Sequence, residues 1–181
     1  SLAHLRRFLD EGRFDQLVSL SESFYASEVN ASIQSISERL EDLRVIIVSG
    51  PSSSGKTTTT IKVGEALEGR RLVPINVDNY FYDLETHPTD THGDYDFETP
   101  QALDLDLFNQ HLSSLLAGKA VEVPYYDFKS GTRTGVAEVL EISPDDIILI
   151  DSLHGLYEPM TESVPAEQKY KLYIDTLAQL K

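Results

Sequence analysis

Apolar residues recur at helical intervals through the opening segment: Leu2, Leu5 and Leu9, then Phe14, Leu17, Val18, Tyr25, Val29, Ile33, Ile36 and Leu40. This spacing predicts two helices broken near Gly12, the second interrupted around Ser19, Ser21 and Ser23. From Arg44 the pattern changes. Val45-Ile46-Ile47-Val48 is a short β-branched strand, Ser49 to Gly55 a flexible loop, and Lys56 to about Leu67 a helix closed by Gly69. A second strand, Leu72 to Val77, delivers Asp78 at its end. Strand, loop, helix and strand in that order form the parallel βαβ unit, so the chain reads as α/β, with a mainly parallel sheet flanked by helices.

Between Asp78 and Pro100 the chain is polar, aromatic and acidic without a sustained period, and a loop of that length in a compact domain is usually functional. A helix follows from about Leu103 to Leu116, stopped by Gly118. Val121 to Val123 and Val136 to Ile142 alternate as two strands joined by a polar turn, Ile147 to Ile150 is a fully apolar strand ending on Asp151, and a last strand covers roughly Tyr170 to Ile174. Residues 1–42 read as a helical connector or the end of an upstream domain, and residues 43–181 as the main domain.

The loop carries the chemistry. Gly50-Pro51-Ser52-Ser53-Ser54-Gly55-Lys56-Thr57 satisfies G-x-x-x-x-G-K-[ST] between a strand and a helix, the context a phosphate-binding loop requires, and Thr58 follows within the first helical turn. Glycines let successive N–H groups turn inward around a phosphate, and the helix behind adds its positive end. Lys56 is placed to reach the β and γ phosphates of ATP or GTP, and the Thr57 hydroxyl to ligate Mg²⁺. Asp151, at a strand end, is the candidate second ligand of Mg²⁺. Asp78 ends a strand facing the same crevice and is the candidate base for an alcohol acceptor.

Composition narrows the setting. The 181 residues carry a net charge of −15, which opposes a general affinity for nucleic acid or anionic membranes, so any phosphate must be held by a local site. No cysteine is present, which removes disulfides, thiolate metal sites and cysteine nucleophiles. No apolar run approaches a membrane span and no basic-then-apolar leader opens the chain, so a cytoplasmic protein is expected. His87, His92 and His154 lack metal-ligand spacing. A homo-oligomer stays open.

The phosphate loop, Asp78-Asn79-Tyr80-Phe81-Tyr82, Tyr95-Asp96-Phe97-Glu98 leading into Ala102-Leu103-Asp104, Pro124-Tyr125-Tyr126-Asp127-Phe128 and the strand ending in Asp151 occur in the order seen in the uridine kinase and phosphoribulokinase family of P-loop kinases. The chain resembles most the bacterial nucleoside kinases with an N-terminal extension related to threonyl-tRNA synthetase. The resemblance implies a P-loop fold and ATP- or GTP-dependent phosphorylation of a nucleoside 5′-hydroxyl, with Asp78 as base. It also implies Tyr126 and Arg133 against the nucleoside, and Asp96 or Glu98 on the ribose hydroxyls. Other readings are a kinase for another small alcohol or sugar phosphate, or a nucleotide-binding regulatory module.

Three departures from the family pattern stand out. Pyrimidine-specific members tend to carry His where this chain has Gly131. Asp151-Ser152 replaces the common Glu-Gly. Members also continue past the last strand into an arginine-rich lid, so the domain is expected to be incomplete at its C-terminus and slow in turnover.

Overall fold

The computed structural model describes residues 2–51, 54–67 and 69–175. Two helices open it, α1 (Leu2–Asp10) and α2 (Phe14–Ser37), separated at Gly12, whose φ of 67° a side chain resists. α2 runs without the expected interruption. The Ser23 hydroxyl donates to the Ser19 carbonyl at 2.7 Å and that of Ser32 to Glu28 at 3.0 Å. Such hydroxyls, turned back onto carbonyls of their own helix, leave its ladder in place.

The core is a four-stranded sheet in the order β2-β5-β1-β6, every neighbouring pair parallel, built from β1 (Val45–Ser49), β2 (Leu72–Ile75), β5 (Ile147–Ser152) and β6 (Lys169–Tyr173). Strand alternation sends successive residues to opposite faces. Val45, Ile47, Ile148 and Ile150 join the cluster formed with α4 (Leu105–Leu116) and the hairpin of β3 (Val121–Asp127) and β4 (Thr132–Leu140), whereas Ile46, Val48, Ile147 and Leu149 join the one formed with α2 and α3 (Lys56–Glu65). All five residues of β1 are buried, as a strand covered on both faces requires. Ile36 at the end of α2 and Leu40 in the turn after it belong to this core, with Val63 of α3 and Leu67 just beyond that helix.

β2 stops at Ile75, short of the expected Val77, because Val77–Tyr80 winds into a 3-10 turn. The Asn76 side chain caps that turn, its Oδ1 accepting from the Asp78 N–H at 3.1 Å. α4 begins later than its apolar run suggested, at Leu105. Asp104 is its N-cap, accepting from the Leu107 N–H, and Gly118 (φ 72°) ends it with Lys119 donating to the Ser114 carbonyl. The hairpin of β3 (Val121–Asp127) and β4 (Thr132–Leu140) is longer than expected, and its register shifts around Pro124, which lacks a donor for the ladder. No helix among the described residues is long and apolar enough to cross a membrane.

β5, β1 and β6 end level, with Ser49 opposite both Ser152 and Tyr173. The loop therefore leaves β1 hard against the end of β6. At Gly50 (φ 153°) an added Cβ would lie 2.0 Å from the Ile174 carbonyl oxygen, whose neighbouring N–H donates to Ser49 at 2.8 Å. Backbone cannot yield there as a side chain would. Gly50→Ala is expected to destabilise the protein by about 1–3 kcal/mol in urea unfolding, the usual cost of overpacking, whereas Gly55→Ala, with open space at its Cβ, meets only the conformational penalty of its φ of 93°.

Candidate active site

A cleft of about 250 Å³ opens beyond the carboxyl ends of β1, β2 and β5, lined by Gly50, Lys56, Asp78, Asp151 and His154 on its polar side and by Phe81, Phe97 and Leu103 on its apolar side. Four candidate residues named from sequence meet here: Gly50, Lys56, Asp78 and Asp151. The Lys56 ammonium donates to the Gly50 and Pro51 carbonyls, each at 2.9 Å, and stands 3.9 Å from Asp151 Oδ1. Lys56 opens α3, Gly55 being its N-cap in the left-handed conformation, and Thr57 and Thr58 are exposed in the first turn behind it. Ser54 Oγ is buried without a hydrogen-bond partner among the described residues. Ser52 and Ser53 lie outside the described residues.

The two carboxylates are tuned by their surroundings. Loss of hydration pushes the Asp78 pKa up, and the nearby Asp151 charge pushes it further. Burial raises Asp151 as well, with the Lys56 ammonium opposing. Across the cleft, burial pulls the His154 pKa down against the pull of Asp96 and Glu98, whose carboxylates lie near enough to favour its charged form. Neither Asp96 nor Glu98 is among the residues lining the cleft. Asp96 Oδ1 accepts from the Glu98 N–H at 2.9 Å, which fixes the turn between them.

Tyr126 and Arg133 are not among the residues lining the cleft. Tyr126 is 2% exposed, its ring packed edge-on to Phe81 and Phe128, and its hydroxyl is buried without a partner among the described residues. Arg133 Nη1 donates to Asp104 Oδ2 at 2.9 Å, and its N–H to Asp83 Oδ1 at 2.8 Å, tying β4 to the start of α4 and to the acidic loop. Gly131, at φ 68°, receives Leu84 so closely that a Cβ would sit 2.1 Å from Leu84 Cδ1, and the Leu84 N–H donates to the Gly131 carbonyl. A larger residue there would have to displace Leu84 as well as adopt a left-handed backbone.

Sequence reasoning missed Phe81, Phe97 and His154 as wall residues. His154 was accessible to it, because it follows the apolar strand ending on Asp151, and ligands in parallel sheets bind beyond the carboxyl ends of strands. The Ser49 hydroxyl donates to the Leu153 carbonyl at 3.1 Å and the His154 N–H to Ser152 Oγ at 3.1 Å, so this segment is held across the end of β1.

Among the described residues no three His, Cys, Asp or Glu side chains cluster as a metal cage. The donor set instead fits Mg²⁺ as nucleotide enzymes carry it, with one or two carboxylates, a hydroxyl and phosphate oxygens. Asp151 and Thr57 are the residues expected to supply that carboxylate and hydroxyl; Asp151 lines the cleft, whereas Thr57 is exposed in the first turn of α3 and does not.

The fold and loop define a P-loop kinase scaffold. Residues 45–181 match the Phosphoribulokinase / Uridine kinase family, and the chain belongs to it. It is 34% identical over 137 residues to a uridine kinase of Chloroflexus aggregans and 33% identical to one of Staphylococcus aureus, each match covering 76% of this chain. The chain spans 63% and 64% of the length of these relatives. Among solved structures, a possible uridine kinase from Bacillus stearothermophilus superposes with a TM-score of 0.56 at 16% identity, over 81% of this chain and 80% of its own. D-glycerate 3-kinase from Cryptococcus neoformans superposes at 0.51 and 19%, over 70% and 52%. These two likenesses concern the fold.

A carboxyl group whose pKa is raised on folding adds stability that is complete below its unfolded pKa and is lost as pH rises through the folded value. At pH 7 Asp78 has lost that contribution, and an amide there carries no such loss. Asp78→Asn is therefore expected to raise the thermal midpoint at pH 7, with the gap to the parent closing below the ordinary carboxylate range. Calorimetric scans at several pH values check both parts.

Proposed function

We propose that this chain carries the nucleotide-binding and catalytic centre of an ATP- or GTP-dependent kinase that phosphorylates the 5′-hydroxyl of a nucleoside. The observation that carries the reading is Lys56 of the phosphate loop facing Asp78 and Asp151 across one cleft. The kinship with uridine kinases supports the acceptor class.

In this mechanism the loop N–H groups and Lys56 hold the triphosphate, with Ser54 Oγ a further donor beside them. Lys56 exchanges the Gly50 and Pro51 carbonyls for phosphate oxygens. The acceptor hydroxyl lies against Asp78, which takes its proton as the oxygen bonds to the γ-phosphorus and the bridging oxygen leaves with the nucleoside diphosphate. The raised pKa of Asp78 brings it closer to the range in which a base is effective. Thr57 and Asp151 would hold Mg²⁺, which would supply neutralising charge to the phosphates. Asp96 and Glu98, whose charges reach His154 in the cleft wall, are assigned to the ribose hydroxyls, and Phe81 and Phe97 to an apolar wall for the nucleoside. Tyr126 buttresses Phe81 from behind. Arg133 would reach substrate only by leaving Asp104, so its assigned role is to hold the hairpin against the site.

Lys56→Ala is expected to abolish binding of Mg-ATP and Mg-GTP in calorimetry without unfolding the protein. Asp78→Asn is expected to bind as the parent does and to lose about 10²–10⁴ in nucleoside-dependent release of the diphosphate. Unchanged turnover in Asp78→Asn would remove it as the base, and phosphorylation of non-nucleoside alcohols alone in an acceptor panel would overturn the nucleoside assignment.

A further inference from the structure

Two cavities flank the phosphate loop. The cleft with Asp78 and Asp151 touches it through Gly50 and Lys56. A larger cavity, of about 540 Å³, touches the loop through Ser54 and the helix behind it through Thr59, between α2 and the end of β6. A triphosphate is a linear molecule. With its γ end presented to an acceptor beside Asp78, its α end and nucleoside must leave the loop elsewhere, and the second cavity adjoins the loop with volume enough for a nucleoside.

We propose that this cavity holds the purine of the phosphoryl donor and that α2, which lies before the family-matched segment 45–181, supplies its wall. The proposal rests on the phosphate-loop reading above. Phe24 and Tyr25 of α2 face Tyr173 and Ile174 of the β6 end around the space, and Phe24 and Tyr173 are 58% and 53% exposed, aromatic surfaces open to stacking. Among the described residues Glu22, Glu28 and Asp175 are the charged groups lining it, with neither Lys nor Arg beside them. Such a wall repels phosphate and accepts from N–H donors, which purines carry on their amino-bearing edges.

Tyr25 is locked to the loop. The Thr59 hydroxyl donates to the Gly55 carbonyl at 3.1 Å, so in the 2.8 Å contact between Thr59 Oγ1 and the Tyr25 hydroxyl it is the tyrosine that donates. Lys62 sits over the Tyr25 ring at 4.8 Å, fixing its other side. The second wall is therefore positioned by the helix that follows the loop.

Calorimetry with Mg-ATP, Mg-GTP and Mg-tripolyphosphate tests this. Phe24→Ala, at an exposed position and expected to keep the parent's thermal midpoint, should weaken both nucleotides about tenfold, the worth of one aromatic stacking contact, and leave tripolyphosphate unchanged. Lys56→Ala should weaken all three. Nucleotide affinities untouched by Phe24→Ala, or a loss shared equally by tripolyphosphate, overturn the purine site and leave the loop reading standing. Three affinities untouched by Lys56→Ala overturn the loop reading itself.

Discussion

The parallel pairing of β1 with β5 on one side and β6 on the other sets the position of everything that bears chemistry. Because Ser49 lies level with Ser152 and Tyr173, the loop, Asp151 and the Ile174 backbone emerge at one edge of the sheet. Strand alternation then decides direction. Ile150 packs into the α4 side of the core, so Asp151 turns to the α3 side, where Lys56 begins its helix. A slip of one residue would reverse that and bury the carboxylate among isoleucines. Gly50 is the residue through which the sheet and the loop constrain each other, since the close packing on Ile174 leaves no room for a side chain.

Charge is handled locally in a strongly acidic chain. The net −15 gives no help to an anionic ligand, and within the cleft one ammonium stands near two carboxylates. Lys56 is satisfied by two backbone carbonyls and by the Asp151 charge, and neither requires desolvating a second cation. Burial strips Asp78 of hydration and the Asp151 charge opposes its ionisation, so its affinity for a proton rises. The same arrangement that makes it costly as a charged group suits it to receiving a proton.

The βαβ unit, the loop and Asp151 near the end of its strand were legible because apolar runs mark buried parallel strands and glycines mark the loop, whereas Asp78 falls in the 3-10 turn after β2 and not at the strand's end. The continuity of α2 was not, because the serines that suggested an interruption donate to carbonyls of the same helix, a geometry that composition does not reveal. The hairpin was seen only in part. Val136 and Val139 are exposed, so alternation along β4 does not report burial, and Pro124 breaks the register of β3. The apolar wall was hidden for another reason: Phe81, Phe97 and His154 come from three segments that share no period and converge only through the strand order. Arg133 looked free to meet a ligand because its partner, Asp104, is the cap of a helix distant in sequence.

The central position of β1 has a consequence for the order of assembly. Its partners are the last two strands described, joined by pairs such as Val45 with Ile148 and Val45 with Lys169. The first strand of the sheet to be synthesised on a ribosome must wait, unpaired on both edges, until most of the chain has emerged. Arg39, in the turn after α2, donates to the carbonyls of Ala166, Glu167 and Lys169 and so draws the arriving β6 into place across 127 to 130 residues of chain. Late pairing of distant segments is slow and leaves apolar strand edges open to other chains. The apolar run Val45 to Val48 is thus the segment that a nascent chain most needs to keep covered, and α2, already made, is the element at hand to cover it.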